Sequence, residues 1–217
     1  MAHRFVLGLD LSFRSPGITL LDRQARHLHC FFFPARKRDI GLEDLFVADP
    51  EKRIGARVHS LQITALTPFG TGGSEQKVKK HAECLRFRDI LRGVEQVMHS
   101  PEDTLVIIEG YAYGTGSSSS SGSKLFGLGA LVRQSLWEKG VHWEVVAPTA
   151  VKKQFSGTGR ADKLQMYCSF REKLPWACFL HLFGTRFDVV TEVGRVPSPV
   201  DDIVDSIALV SPYLVRD

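Results

Sequence analysis

"LGLDLSFRSPGITLLD", Leu7 to Asp22, is the stretch whose reading decides the fold. Val6, Leu7, Leu9 and Leu11 form an apolar run suited to a buried strand, and Asp10 sits inside it. A carboxylate in such a place is costly unless it is paired or holds a metal. The Pro16-Gly17 turn then sends the chain back along "GITLLD", a second strand, and "HLHCFFFP" reads as a third. Tight turns between successive strands predict an antiparallel meander.

Working outward, Ala35 to about Thr71 is charged or turn-rich, with a short strand expected within "RVHSLQITAL". "SEQKVKKHAECLRFRDILRGVEQVMHS" is a long amphipathic helix, with Val78, Leu85, Ile90, Leu91, Val94 and Val97 at helical spacing and Ser74 as its cap. "TLVIIEG" is nearly continuous in apolar residues, as a strand covered on both faces should be. "YAYGTGSSSSSGS" reads as a Gly/Ser loop, and "KLFGLGALVRQSLWEKG" as a helix stopped by Gly140. "VHWEVVAP" is a further strand. A short helix, a Gly-rich turn and a second helix follow, and "SPVDDIVDSIALVSPYLV" is the last helix. Three strands, helix, strand, helix, strand and helices predict an α/β fold with a mixed sheet.

The chain has 217 residues, 43% hydrophobic and 24% charged, with a formal net charge of +4. That length allows one globular domain with a sizeable core. We expect a single domain over 1–217 with insertions near 31–74 and 175–197. The mildly basic balance permits nucleic-acid binding. Cys30, Cys84, Cys168 and Cys178 form no CxxC or CxxH pair, so neither a zinc site nor a disulfide framework is expected. No apolar run approaches 18 residues, so no membrane partner is expected. The expected location is an intracellular reducing compartment, cytoplasm or nucleoid, or an organelle if a transit peptide has been removed.

Acids recur where apolar strands end. Glu109 closes "LVIIE" much as Asp10 interrupts "VLGLD". In "SPVDDIVDS", Ser198 suits an N-cap, Pro199 the first helical position and Asp201 the positive end of the helix. Asp202 and Asp205 are three apart and share one helix face. Brought beside Asp10 and Glu109, they would place four carboxylates together. Such a cluster repels itself unless divalent cations sit in it. Oxygen ligands suit Mg²⁺ or Mn²⁺. Two such ions about 4 Å apart activate water and stabilise the leaving oxygen in phosphodiester hydrolysis.

In order and spacing these motifs resemble the RuvC-like Holliday junction resolvases of the ribonuclease H-like superfamily. "LGLDLSFRSPGITLLD" is similar to the family's opening hairpin. "KLFGLGALVRQSLWEKGVHWEVVAPTAVKKQFSGTGRADK" is similar to its central helix, strand and basic block, and "DDIVDSIALV" to its last helix. The resemblance covers about residues 5–22 and 104–212. It implies a ribonuclease H-like five-stranded sheet, three antiparallel strands followed by parallel ones, flanked by helices. It implies that Asp10, Glu109, Asp202 and Asp205 hold two Mg²⁺ or Mn²⁺ ions per active site. Lys152 and Lys163 would then serve catalysis by holding the scissile phosphate or stabilising developing charge. The implied activity is endonucleolytic resolution of four-way DNA junctions by paired nicks, in a homodimer. Lys152, Lys153, Arg160 and Lys163, beside the glycines of "SGTGRADK", would meet DNA phosphates, and Arg14 a phosphate or a nearby acid. "ARKRD" and "KVKK" either extend that surface or are solvated charge.

Two departures stand out. Leu11 occupies a place where the family often has proline. Ala112 stands where the bacterial enzymes carry an aromatic, flanked by Tyr111 and Tyr113. Each tyrosine either stacks on a DNA base or packs on the sheet. Leu125, Phe126, Leu128, Leu131, Val132 and Leu136 serve either a dimer interface or the core. Two other readings use the same fold: a nuclease acting on RNA or other branched DNA, and a non-catalytic nucleic-acid-binding or assembly module. The second is disfavoured because all four matching positions are acidic.

Overall fold

The first strand, β1 (Phe5–Asp10), sorts its side chains to opposite faces of a sheet. Phe5, Leu7 and Leu9 enter one core layer and Val6 enters the other. By the same parity Gly8 and Asp10 lie on the Val6 face. The computed structural model describes residues 3–13, 16–33, 45–49, 54–61, 75–111, 120–175, 196 and 200–214.

Within these, β2 (Gly17–Asp22) and β3 (His27–Phe32) complete the meander, and β4 (Leu45–Asp49) and β5 (Ile54–Ser60) follow. Next come α1 (Glu75–Val97), β6 (Thr104–Glu109), α2 (Ser120–Glu138), β7 (His142–Val146), α3 (Pro148–Ser156), α4 (Lys163–Lys173) and α5 (Val200–Val210). The sheet has seven strands in the order β4-β5-β3-β2-β1-β6-β7. β1 pairs antiparallel with β2 and parallel with β6; β2–β3 is antiparallel and β6–β7 parallel. The central run β3-β2-β1-β6-β7 is a mixed five-stranded sheet, three antiparallel strands followed by parallel ones.

The difference from expectation lies at the β3 edge. β5 runs parallel to β3, and β4 antiparallel to β5, inside the stretch expected to be an insertion. The strand expected within "RVHSLQITAL" starts earlier, at Ile54, and stops at Ser60. β4 had no sequence signal, because "LFVAD" is five residues set among charged ones. A second difference is that α2 begins at Ser120, inside the serine run read as loop. Ser74, Ser198, Pro199 and most of 175–197 lie outside the described residues.

Helices cover both faces. α1 and α2 bring Ile90, Val94, Val97, Leu128, Val132 and Leu136 onto Leu7, Leu9, Val106 and Ile108. α3, α4 and α5 bring Val151, Phe155, Met166, Phe170, Ile203, Val204 and Ile207 onto Val6, Leu21, Phe32 and Ile107. Burying one such aliphatic or aromatic side chain contributes about 1.5–3 kcal/mol. Gly140 takes positive φ (66°) at the end of α2, where the Val141 N–H reaches the Leu136 carbonyl at 2.9 Å, the stop expected of it. Among the described residues no helix is long and apolar enough to cross a membrane.

Among the described residues α5 is the most enclosed helix: every residue but Asp205 is buried. Its backbone rests directly on β1 and β2. A Cβ added to Gly8 would stand 2.6 Å from the Ser206 carbonyl oxygen, and one on Gly17 would fall on the Asp202 carbonyl. Ser206 Oγ and Thr19 Oγ1 share a 2.8 Å hydrogen bond across this contact. A glycine within a strand marks such a close backbone approach.

Candidate active site

Strand parity and register build the site. Asp10 ends β1 and Glu109 ends β6. The parallel pairing runs to Leu9 with Ile108, so the next step sets Asp10 beside Glu109. Both project to the α5 face, Asp10 with Val6 and Glu109 with Ile107. On its other side Asp10 pairs with Gly17, the residue beneath the Asp202 carbonyl. The missing side chain of Gly17 therefore lets the DxxD turn of α5 descend next to Asp10.

The electrostatics register this convergence. Burial lifts the Asp10 carboxyl well above the usual carboxylate range, and Glu109, Asp205 and Asp202 push it further. Burial raises Glu109 too, against the pull of its hydrogen bond with Asp10 and of the Lys152 ammonium. Asp205 is pushed up to about 7, first by burial and then by Glu109, with Lys163 and Lys152 opposing. Asp202 is buried. The mutual hydrogen bond of Asp10 and Glu109 works in opposite senses, raising Asp10 further and holding Glu109 down.

Four acids that cannot all ionise together fit a hard divalent cation, which supplies the missing positive charge. Among the described residues, however, no three His, Cys, Asp or Glu side chains already stand as a ligand cage. The Asp10–Glu109 hydrogen bond occupies lone pairs that an ion would use.

This arrangement has a pH signature. Between about pH 4 and 7 the folded, metal-free chain retains a proton on Asp205 that the unfolded chain has lost. Stability is therefore full below that window and falls as pH rises through it. The melting temperature in chelator is expected to drop between about pH 5 and pH 8, and Mn²⁺ to raise it more at the higher pH. A metal-free melting temperature that climbs over this range would contradict the assignment.

The basic residues flank the acids. Lys152 on α3 donates to the Ala161 carbonyl at 2.9 Å and acts electrostatically on Glu109 and Asp205. Lys163, the first residue of α4, donates to Asp201 Oδ2. Burial works against its charge, but the Asp201 bond and the fields of Asp201, Asp202 and Asp205 prevail and raise it. Asp201 was read from the sequence only as a helix-end charge, yet it is buried and paired to Lys163. Its signal was its place in the first turn of a helix that is otherwise apolar around most of its circumference. Lys153 and Arg160 are exposed on α3 and in the α3–α4 turn. The Gly157 N–H in that turn is already taken by the Lys153 carbonyl at 2.9 Å.

Tyr111 donates to the Leu125 carbonyl at 2.6 Å and meets Phe126 edge-on at 4.8 Å. A Cβ on Gly129 would collide with its hydroxyl. In the structure Tyr111 thus packs onto α2. Arg14 and Tyr113 lie outside the described residues. On α2, Leu128, Val132 and Leu136 belong to the core, while Phe126 and Leu131 are each 41% exposed and Trp137 is 74% exposed.

No family model matches the chain, and no curated protein matches it. Solved structures do. The Thermus thermophilus RuvC structure is 15% identical, over 94% of this chain and 90% of that one, with a TM-score of 0.45. The T. thermophilus RuvC complex with a Holliday junction substrate is 14% identical, over 94% and 89%, at 0.48. The yeast mitochondrial Holliday junction resolvase Ydc2 is 10% identical, over 98% and 78%, at 0.46.

Proposed function

We propose that this protein is a metal-dependent, structure-selective endodeoxyribonuclease that resolves four-way DNA junctions by paired strand nicking. The observation that supports the reading is the mutual electrostatic influence of Asp10 with Glu109, Asp205 and Asp202, carried by the ends of β1 and β6 and by α5. These four carboxylates would hold Mg²⁺ or Mn²⁺. When bound, the cations supply water activation and stabilisation of the leaving oxygen. The protein's own share is binding and orientation. The rigid ends of β1 and β6 fix two acids, α5 fixes the others, and Lys152 and Lys163 meet the scissile phosphate as point charges. Arg14, Tyr113, Lys153 and Arg160 belong to the proposed DNA surface, and Tyr111 supports it through α2.

The junction as substrate is supported by the order of the sequence motifs. Paired nicking calls for two sites related by a two-fold axis. The exposed Phe126, Leu131 and Trp137 of α2 offer apolar surface for such a homodimer. A nuclease acting on RNA–DNA hybrids or flaps would use the same acids, so substrates must decide.

The test offers labelled four-way junction, linear duplex, flap and RNA–DNA hybrid with Mg²⁺ or Mn²⁺. Symmetric nicks in the junction, leaving 5′-phosphates, are expected, with little cutting of duplex. Preference for hybrid or flap would move the protein to the alternative. No metal-dependent cutting of any substrate would remove both nuclease readings.

A further inference from the structure

Asp201 belongs to neither the four-acid set nor the helix cap the sequence suggested. It is 7% exposed, and its Oδ1 is buried without a hydrogen-bond partner among the described residues. An acid serving the positive end of α5 would spend that oxygen on backbone N–H groups. Its Oδ2 instead accepts from Lys163, whose side chain is 64% exposed. The carboxylate is thus the fixed partner and the lysine arm the free one.

The lysine's base is fixed as well. Asp162 caps α4, accepting from the Gln165 N–H at 2.8 Å, while the Gln165 side chain accepts from the Asp162 N–H at 3.0 Å. Lys163 follows this box directly. Its ammonium lies in the field of Asp202 and Asp205 as well as Asp201. Released from Asp201, it would fall toward those two carboxylates, which the proposed function reserves for cations.

We propose that Asp201 is a positioning residue that anchors the Lys163 ammonium at the rim of the acidic cluster, within reach of a phosphate and clear of the ligand set. The catalytic consequence rests on the nuclease reading; the anchoring rests on the geometry alone.

Two measurements on the full chain test it. The first is the acetylation rate of individual lysines, read by mass spectrometry without metal or DNA. Lys163 should react several-fold more slowly than exposed Lys153, and Asp201→Asn should change the Lys163 rate several-fold while leaving Lys153 unchanged. An unchanged Lys163 rate overturns the anchor. The second is single-turnover cleavage of a four-way junction by Asp201→Asn, Lys163→Met and the double variant. Lys163 is exposed, so Lys163→Met breaks the contact without burying or exposing a core group. The expected result is about a tenfold loss in cleavage rate for Asp201→Asn with junction affinity unchanged, and a double variant no slower than Lys163→Met. Multiplicative losses in the double variant would show Asp201 acting independently of Lys163 and overturn the positioning role. A wild type that cuts nothing removes the nuclease reading, while the acetylation rates still decide whether Asp201 holds the lysine.

Discussion

Asp10→Asn is expected to lower metal-dependent junction cleavage by at least about a hundredfold, the scale on which a single group aimed at developing charge acts. Its effect on stability should have the opposite sign. Asp10 is half-buried, and desolvation with the fields of Glu109, Asp205 and Asp202 already disfavours its ionisation. An amide of the same shape still donates to Glu109 and carries no charge to desolvate. In chelator at about pH 8 the variant should therefore melt at or above the wild-type temperature. Glu109→Gln should behave alike, since burial raises its carboxyl too. Activity falling while stability holds separates a functional carboxylate from a structural one. Single-turnover cleavage and thermal melting measure the two halves. An Asp10→Asn chain that cuts at the wild-type rate would show that the site has been misassigned.

Gly17→Ala should produce the largest stability loss of any glycine-to-alanine change among the described residues. The added Cβ would land on the Asp202 carbonyl, with Ser206 Oγ at 3.2 Å, and a backbone group cannot swing aside as a side chain can. Either β2 or the first turn of α5 must move. Overpacking of this kind costs about 1–3 kcal/mol or more, or roughly 2–4 °C in melting temperature per kcal/mol at this size. The same movement lifts Asp202 away from Asp10, so cleavage falls with stability. Gly127→Ala is the control. Among the described residues its Cβ would touch only the Phe87 ring edge, at 3.2 Å, and alanine favours the α2 helix. Equal melting temperatures for Gly17→Ala and wild type would mean that α5 does not rest on β2 as described.

The strands that carry the acids were legible because each is an apolar run with one offending carboxylate, and the helix because three aspartates interrupt a mostly apolar sequence. β1, β6 and α5 are enclosed on nearly all sides, so their sequences are close to pure core. What remained hidden depends on contacts distant in sequence. β4 and β5 extend one edge of the sheet, and their short segments are interrupted by Asp49, Arg57 and His59, so neither alternates cleanly. Serine is an indifferent helix former, and nothing local announces that α2 starts at Ser120. Nearby, the Tyr111 hydroxyl on Leu125 and its fit over Gly129 secure the first turns of that helix. Asp201 looked like a helix-end charge because Lys163 lies 38 positions away. Gly8 and Gly17 were the readable clue that went unread. They share the sheet face of Asp10 and Thr19, and together they mark where a helix backbone must touch the sheet.

The central claim is that Asp10, Glu109, Asp202 and Asp205 form one divalent-cation site. A crystal of the protein grown with Mn²⁺, with data collected at the manganese absorption edge, tests it most directly. The account predicts anomalous peaks about 2.1 Å from carboxylate oxygens, with Asp10 bound to the metal together with acids from β6 and α5, and with the Asp10–Glu109 hydrogen bond gone. Manganese absent from this cluster, with Asp10 still sharing its proton with Glu109, would contradict it.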